Sequence, residues 1–175
     1  MTDEKLTIRG GRADDADMVM GFLRDLAALD GEADICRMTA ADVRRWGFGP
    51  DRRFEILVAE LADGPAGMIL FYSTFSTWDA KPGILVNDLY VTDWARGRGI
   101  GRRHLAEVAA LAVERQWGRV EWHVLHQADA VTFYDAMGGR KADEFQTYRL
   151  TGDALLRLAE HARSSQAAGQ GEGER

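Results

Sequence analysis

The 175 residues include 46% apolar side chains, which is enough for one hydrophobic core and makes two compact domains unnecessary. With 22 Lys+Arg against 28 Asp+Glu, the formal net charge of −6 argues against nucleic-acid binding, because phosphate backbones attract basic surfaces. A single cysteine excludes an intrachain disulfide framework and a cysteine-based zinc site, and no apolar run has the length of a membrane span.

The two ends of the chain are polar. Met1–Lys5 is the wrong start for a secretory signal, so we expect a cytoplasmic protein. From Ser164 onward there is almost nothing apolar to bury. The sequence therefore predicts a folded domain over 1–163 and a disordered tail over 164–175.

The first half of the chain alternates strand and helix signals. A short alternating run predicts a strand at Leu6–Ile8, and apolar spacing of three to four predicts a helix over Arg12–Leu29. Thr39 with Asp42 three residues later resembles a capping box that opens a short helix. Two β-rich runs around an Asp-Gly turn then predict a hairpin of Phe54–Glu60 with Ala66–Tyr72.

The second half continues the same alternation. The predicted elements are a strand at Gly83–Val91, a helix at Arg102–Gln116, a strand at Val120–Leu125, a helix at Ala128–Met137, a strand at Thr147–Leu150 and a helix at Thr151–Arg163. Helix residue His104 is expected on the surface. The order predicts an α+β domain around a mostly antiparallel sheet.

A glycine-arginine turn joins the third long strand to the helix that follows. Four arginines fall between Arg96 and Arg103, and glycines there allow backbone N–H groups to point at one ligand beside a helix N-terminus. The pattern predicts a pyrophosphate cradle. No lysine is present for a Walker loop, and Arg102 occupies the third glycine position of a dinucleotide fingerprint, although Glu121 lies at a suitable distance for a ribose. The alternative to a pyrophosphate site is a glycine-rich helix start that binds no ligand and whose arginines are solvated.

Arg96–Gly101 also matches [Gln/Arg]-x-x-Gly-x-[Gly/Ala], and so resembles the coenzyme-A loop of the Gcn5-related N-acetyltransferase (GNAT) superfamily. Trp122–Leu125 and Ala130–Tyr134 resemble its second motif, and the similarity covers about Leu6–Ala159. The segments that resemble the diamine (spermidine/spermine-type) and thialysine acetyltransferases are Gly47–Gly49, Tyr72–Trp78, Asp88–Val91 and Tyr148–Leu150. The resemblance implies a single α+β GNAT-type acyl-CoA N-acyltransferase fold, a mixed sheet flanked by helices, acetyl-CoA as cofactor, and a homodimer.

The resemblance also implies which residues hold the cofactor. Backbone groups of Leu89, Tyr90 and Val91 would pair with the pantetheine amides, and Gln127 stands where the second motif has Asn. The pyrophosphate loop would comprise Arg96, Gly97, Arg98, Gly99, Ile100, Gly101 and Arg102.

Two residues are catalytic candidates. The resemblance places the Tyr134 hydroxyl near the thioester sulfur as a general acid; the alternative is an ordinary core aromatic. Asn87 and Asp88 occupy the positions of a Glu-Asp pair in the diamine-type relatives. Because Asn87 cannot be a base, deprotonation of the acceptor amine falls to Asp88, a water chain or solvent.

The acceptor site is implied to carry acids. Asp30 and Asp34 match positions lining the acceptor channel of those relatives, Asn87 contributes a polar group, and Trp78 could form a wall. Solvated loop carboxylates are the alternative for Asp30 and Asp34. No cysteine or acid stands at ligand spacing beside the histidines, so no metal site is expected.

These residues favour an acetyl-CoA-dependent N-acetyltransferase that acts by direct attack on the primary amine of a small cationic acceptor, such as a polyamine, a diamine or a lysine-like amine. Three alternatives remain at this stage. The chain could be a non-catalytic acyl-CoA sensor, a dinucleotide-dependent oxidoreductase, or an acetyltransferase for an amino acid, an antibiotic or a protein.

Overall fold

The computed structural model describes residues 6–124, 128–143 and 146–170. Two compact units divide the chain, Met1–Phe133 and Tyr134–Arg175. The strands are β1 (Thr7–Gly10), β2 (Glu55–Leu61), β3 (Gly64–Ser76), β4 (Lys81–Val91) and β5 (Val120–Trp122). The helices are α1 (Ala16–Leu29), α2 (Ala40–Val43), α3 (Ile100–Glu114), α4 (Ala128–Asp135) and α5 (Gly152–Gln170).

The first unit is built on a five-stranded sheet in the order β1-β2-β3-β4-β5. Neighbouring strands are antiparallel except for β4 and β5, which run parallel and pair Ile84 with Val120 and Val86 with Trp122. The α+β fold with a mostly antiparallel mixed sheet is therefore confirmed. The Asp-Gly hairpin is confirmed as β2 and β3.

Helices cover both faces of the sheet. On one face α1 packs its buried side chains into a core with alternate residues of β2, β3 and β4; the members include Val19, Met20, Val58, Met68, Leu70 and Tyr90. On the other face the first residue of α3, Ile100, packs with Ala59, Leu61 and Ala66. This double coverage explains why Ala66–Phe71 is a continuous buried run rather than an alternating one.

The capping box at Thr39 is confirmed. Its Oγ1 accepts from the Asp42 backbone N–H at 3.2 Å, and Asp42 Oδ2 accepts from the Thr39 backbone N–H at 3.0 Å. The short helix α2 continues into a wider π-type turn over Arg44–Phe48, which ends at Gly49. The segment from Arg53 therefore enters β2 from the end of this turn, and the Arg53 N–H donates to the Trp46 carbonyl.

The second unit differs from the sequence prediction at two places. Thr147–Leu150 is irregular and exposed rather than a strand, because no ladder in the described residues satisfies its backbone. Helix α5 was predicted to end at Arg163 and continues to Gln170, through Ser, Gln and Ala residues that tolerate a helix. Residues 171–175 lie outside the described ranges. No helix in the described part of the chain combines the length and the apolarity needed to cross a membrane.

We expect Gly67→Ala to lower the free energy of unfolding by about 2 kcal/mol, within the usual cost of overpacking. A Cβ at Gly67 would lie 2.4 Å from the Tyr90 carbonyl oxygen, a backbone atom that cannot turn aside. Gly10→Ala is the control, because a Cβ at that strand position meets nothing within 4 Å. Urea unfolding of both variants measures the difference, and equal midpoints would show that β3 and β4 can separate at no cost.

Candidate functional site

A β-bulge on β4 creates the polar part of the candidate site. Leu70 pairs with Asp88 while the next residue, Phe71, pairs with Val86, so Asn87 is an extra residue without a partner on β3. In a regular strand, consecutive side chains point to opposite faces, and a bulge removes that alternation. Asn87 and Asp88 consequently border the same open cavity of about 360 Å³, which is lined by Met38, Arg53, Phe54, Leu70, Tyr72, Asn87 and Asp88.

Asp88 is the perturbed acid of this cavity. Burial raises the pKa of its carboxyl above the ordinary value, and the negative charge of Asp30 raises it further. The Asn87 side-chain amide donates to Asp88 Oδ2 at 2.8 Å and opposes both effects, since this hydrogen bond favours the ionised form. Asp30, at the end of α1, is thus within electrostatic reach of Asp88.

Beyond the bulge, one edge of β4 has backbone N–H and C=O groups that make no hydrogen bond to a neighbouring strand in the described residues. The Thr92 N–H donates to the Ala66 carbonyl at 3.0 Å, and hydrogen-bonded pairs alternate along an antiparallel ladder. Tyr90 therefore points its N–H and C=O toward β3, whereas Leu89 and Val91 point theirs away. Pairing between β4 and β5 ends at Val86 and Trp122, so the described residues offer these two outward backbones no strand partner.

Helix α3 begins at Ile100 beside this backbone with an uncapped N-terminus. Gly97 and Gly99 have φ of 76° and 77°, a left-handed conformation that glycine adopts without strain. No side chain among the described residues caps the helix, and its first backbone bond runs from the Arg103 N–H to the Gly99 carbonyl. The N–H groups of the first turn are thus left to bind an anion, as helix N-termini do.

The arginines of the turn add positive charge to this N-terminus. Arg96 is half-exposed, pairs with Asp93 at 2.8 Å and donates to the Val91 carbonyl at 3.2 Å. The Arg98 guanidinium lies 5.6 Å from the centre of the Trp94 ring. These contacts hold both side chains at the loop, beside the start of α3.

The other predicted site residues fall in different places. The side chain of Tyr90 is buried, and its hydroxyl donates to Asp25 at 3.2 Å. The sequence analysis predicted that the Tyr90 backbone would bind pantetheine, but this backbone faces β3. Asp34 is exposed in the short turn Ala33–Ile35. Trp78 is 91% exposed in the turn between β3 and β4 and does not line the cavity around Asp88. Gln127 lies outside the described residues.

Tyr134 is half-buried near the end of α4, and burial raises the pKa of its phenol. The hydroxyl therefore stays protonated throughout the neutral range. A protonated phenol is the form that a general acid requires.

Two residues near the site were missed or misjudged from the sequence. His104 is fully buried rather than on the surface, and burial lowers its pKa to about 4, so the ring is neutral at pH 7. Its spacing of four from both Ile100 and Val108, which are also buried, was the signal for this position. Arg53 borders the cavity and was not predicted, because the irregular segment before β2 has no periodicity that assigns it a face.

No group of three or more His, Cys, Asp or Glu side chains in the described parts of the chain is placed to hold a metal ion.

Residues 52–138, which span β2 to the turn after α4, match the model of the acetyltransferase (GNAT) domain. The chain is 29% identical to a thialysine N-epsilon-acetyltransferase of Sus scrofa over 164 residues, covering 87% of this chain and 96% of that protein. It is 36% identical over 115 residues to an L-ornithine N5-acetyltransferase of Arabidopsis thaliana, covering 65% of this chain and 47% of the relative.

Solved structures share the fold. An integron cassette protein of V. cholerae superposes with a TM-score of 0.74 at 21% identity, covering 89% of this chain and 98% of the other. An aminoglycoside acetyltransferase from an uncultured soil metagenomic sample, in complex with sisomicin, gives a TM-score of 0.70 at 16% identity, covering 85% of this chain and 97% of that one.

Proposed function

The chain belongs to the GNAT superfamily and is an N-acetyltransferase, and from this premise we propose that it transfers the acetyl group of acetyl-CoA by direct attack to the primary amine of a small cationic acceptor. The observation that carries the proposal is the uncapped, glycine-led start of α3 beside the outward backbone of Leu89 and Val91. The bulge cavity with Asp88 lies on the same strand. The names of two relatives give thialysine and L-ornithine as acceptors, and both are lysine-like amines of the proposed kind.

The residues of this chain fit acetyl-CoA. The N–H groups of the first turn of α3 and the guanidinium groups of Arg96 and Arg98 would hold its pyrophosphate. Gly97 and Gly99 supply the turn, with Ile100, Gly101 and Arg102 completing the loop. Leu89 and Val91 would pair with the pantetheine amides as an added strand does. Tyr90 is not included among the pantetheine-binding residues, because its backbone N–H and C=O point to β3. Gln127 lies outside the described residues, and its contact with pantetheine stays a prediction.

The proposed chemistry divides the proton transfers between two side chains. Acetyl-CoA, when bound, would supply an acetyl thioester, and its C–S bond would break as the acceptor nitrogen forms the new C–N bond. Asp88 Oδ accepts a proton from the acceptor ammonium, which makes the nitrogen nucleophilic. An outward N–H of Leu89 or Val91 would stabilise negative charge on the carbonyl oxygen. The Tyr134 hydroxyl would give its proton to the departing sulfur. The acylated nitrogen would lose its second proton as the amide forms, and that proton would restore the Tyr134 phenol.

Acids attract the acceptor in this proposal. Asp88 and Asp30 act together electrostatically, and the net charge of −6 adds a field that favours a cationic amine. Asp34 and Asn87 complete the proposed acceptor site. Trp78 is exposed at the tip of its hairpin, so it would form a wall of the acceptor channel only in a homodimer. The proposal therefore includes a homodimer, and light scattering would test it.

We expect the double variant Arg96→Ala, Arg98→Ala to raise the Kd for coenzyme A at least tenfold, because two charge-assisted contacts to the pyrophosphate are lost. Titration calorimetry measures the Kd. Arg44→Ala is the control, since its exposed pair with Asp17 lies away from α3. Release of coenzyme A from acetyl-CoA with a panel of amines tests the transfer itself. An unchanged Kd would refute the pyrophosphate loop, and no release with any amine would refute the transfer.

A further inference from the structure

The side chain of Tyr90 joins the end of β4 to helix α1. Its buried ring lies 5.5 Å, centre to centre, from the ring of Phe22, and its hydroxyl donates to Asp25 Oδ2 at 3.2 Å. Phe22 and Asp25 are three residues apart and so lie on one side of the helix. Within the parts of the chain that the structure describes, Asp25 is the only hydrogen-bond partner of this hydroxyl. The contact therefore holds α1 to β4 at one defined point.

Asp30 is fixed to the end of the same helix. The Asp30 N–H donates to the Leu26 carbonyl at 3.0 Å, and the Glu32 N–H folds back to the Ala27 carbonyl at 2.7 Å. Gly31 between them has φ of 73°, the left-handed conformation that commonly ends a helix in this way. Because these bonds tie the turn to the helix, the position of Asp30 follows that of α1.

Asp30 and Asp88 carry the same charge when both are ionised, so something must hold them near each other. Their electrostatic interaction acts between α1 and β4, and repulsion between the two carboxylates favours separation of the helix end from the strand. Tyr90 lies two residues beyond Asp88 on β4. Asp25 lies five residues before Asp30 on α1. The hydrogen bond between Tyr90 and Asp25 is thus placed to oppose this separation.

We propose that the hydrogen bond between Tyr90 and Asp25 is a positioning contact, which holds the end of α1 against β4 and keeps a second acid beside Asp88. That second acid is Asp30. The inference rests on the proposed function and gives the Tyr90 side chain a part in it. The Tyr90 hydroxyl takes no part in proton transfer; through the distance between the two acids it sets how strong a base Asp88 is.

The Tyr90 hydroxyl stays protonated, and so remains a donor, while a carboxyl group titrates. Burial raises the pKa of this phenol, and the charge of Asp25 and the hydrogen bond to it raise the pKa further. Asp93 and Arg96, in the turn after β4, act on the hydroxyl with opposite signs. The contact to α1 is therefore not lost through ionisation of Tyr90 in the range where Asp88 titrates.

The other groups around Asp88 do not depend on α1. Asn87 of β4 donates to its carboxyl, and Arg53 and Tyr72 line the same cavity from the segment before β2 and from β3. Separation of α1 from β4 would leave these three residues in place and would change the contribution of Asp30. Loss of the positioning contact therefore has a specific expected effect on the titration of Asp88.

Tyr90→Phe removes the hydroxyl and keeps the ring against Phe22. We expect its Asp88 carboxyl, followed by carbon-detected NMR, to titrate at lower pH than in the wild type, because Asp30 then lies farther away. The shift should be at least half of that in Asp30→Asn, and the acidic limb of kcat/KM should move with it. Asp25→Ala should give the same shift. Asp25→Asn, which keeps an oxygen acceptor for the hydroxyl, should give less than half of it.

Asp30→Asn also provides the background that separates positioning from general destabilisation. Without the charge of Asp30, movement of α1 has no effect on Asp88 to transmit. Adding Tyr90→Phe to Asp30→Asn should therefore produce no further shift, as a double-mutant cycle between coupled residues requires. A general loss of stability in Tyr90→Phe would not depend on the charge at Asp30.

Thr92→Val is the matched control, because it removes another buried hydroxyl next to β4, one that donates to the Ala66 carbonyl at 3.1 Å and not to α1. It should leave the titration of Asp88 in place, and the Tm of each variant verifies folding. An unchanged titration in Tyr90→Phe, or a shift that persists undiminished in the Asp30→Asn background, would overturn the inference. No coenzyme A release by the wild type with any amine would instead overturn the proposed function, and the NMR titration would still decide the positioning role.

Discussion

Replacing Tyr134 with Phe is expected to lower kcat by at least 100-fold and to leave the Kd for coenzyme A within twofold of wild type. A positioned general acid contributes roughly 10² to 10⁴ to a rate, and Phe keeps the ring while removing the proton that the departing sulfur needs. Pre-steady-state and steady-state coenzyme A release measure kcat, and calorimetry measures the Kd.

The alkaline limb of the pH profile is the second readout for Tyr134. Because burial raises the pKa of this phenol, wild-type kcat should fall only above the ordinary tyrosine range, as the hydroxyl loses its proton. The fall should vanish in Tyr134→Phe. Tyr148→Phe is the control, since that side chain is 90% exposed, and it should match the wild type. A kcat for Tyr134→Phe within threefold of wild type would remove the general-acid role.

Periodicity in the sequence predicted most of the first unit because each element there buries one consistent face or run. The hairpin of β2 and β3 and the capping box at Thr39 carry local signals that do not depend on tertiary contacts. Thr147–Leu150 also alternates, but a strand forms only where a neighbouring ladder satisfies it, and alternation carries no information on that partner. The end of α5 was misplaced because a polar, small-residue segment is compatible with both helix and coil.

The sequence predicted those parts of the candidate site that depend on backbone conformation, and it did not predict those that depend on tertiary packing. The glycine-arginine turn is visible because positive φ at Gly97 and Gly99 demands glycine, and the sequence shows this requirement directly. The bulge at Asn87 leaves no such mark, because any residue can be the extra one. Without the bulge, alternation places Asn87 and Asp88 on opposite faces. Arg53 reaches the cavity from an irregular segment, and only the fold brings it there.

The second large effect is expected for Asp88→Asn, which should lower kcat/KM for the acceptor about 100-fold at pH 7. A free primary amine has a pKa near 10, so at neutral pH almost all of the acceptor is protonated and a base must remove the proton. Burial and Asp30 raise the pKa of Asp88, which makes its carboxylate a stronger base than a solvated one. Asp63→Asn, at an exposed residue in the turn between β2 and β3, is the control for a general loss of negative charge and should cost less than threefold.

The pH dependence separates the base from a binding role. The kcat/KM of wild type should rise as pH passes through the pKa of Asp88, because only the ionised carboxyl accepts a proton. Asn87→Ala removes the hydrogen bond that favours the ionised form, so this rise should move to higher pH. The deficit of Asp88→Asn should shrink toward pH 10, where solvent already supplies the neutral amine. A deficit that is constant across the whole range would show that Asp88 attracts the acceptor without deprotonating it, and a water chain or solvent would then be the base.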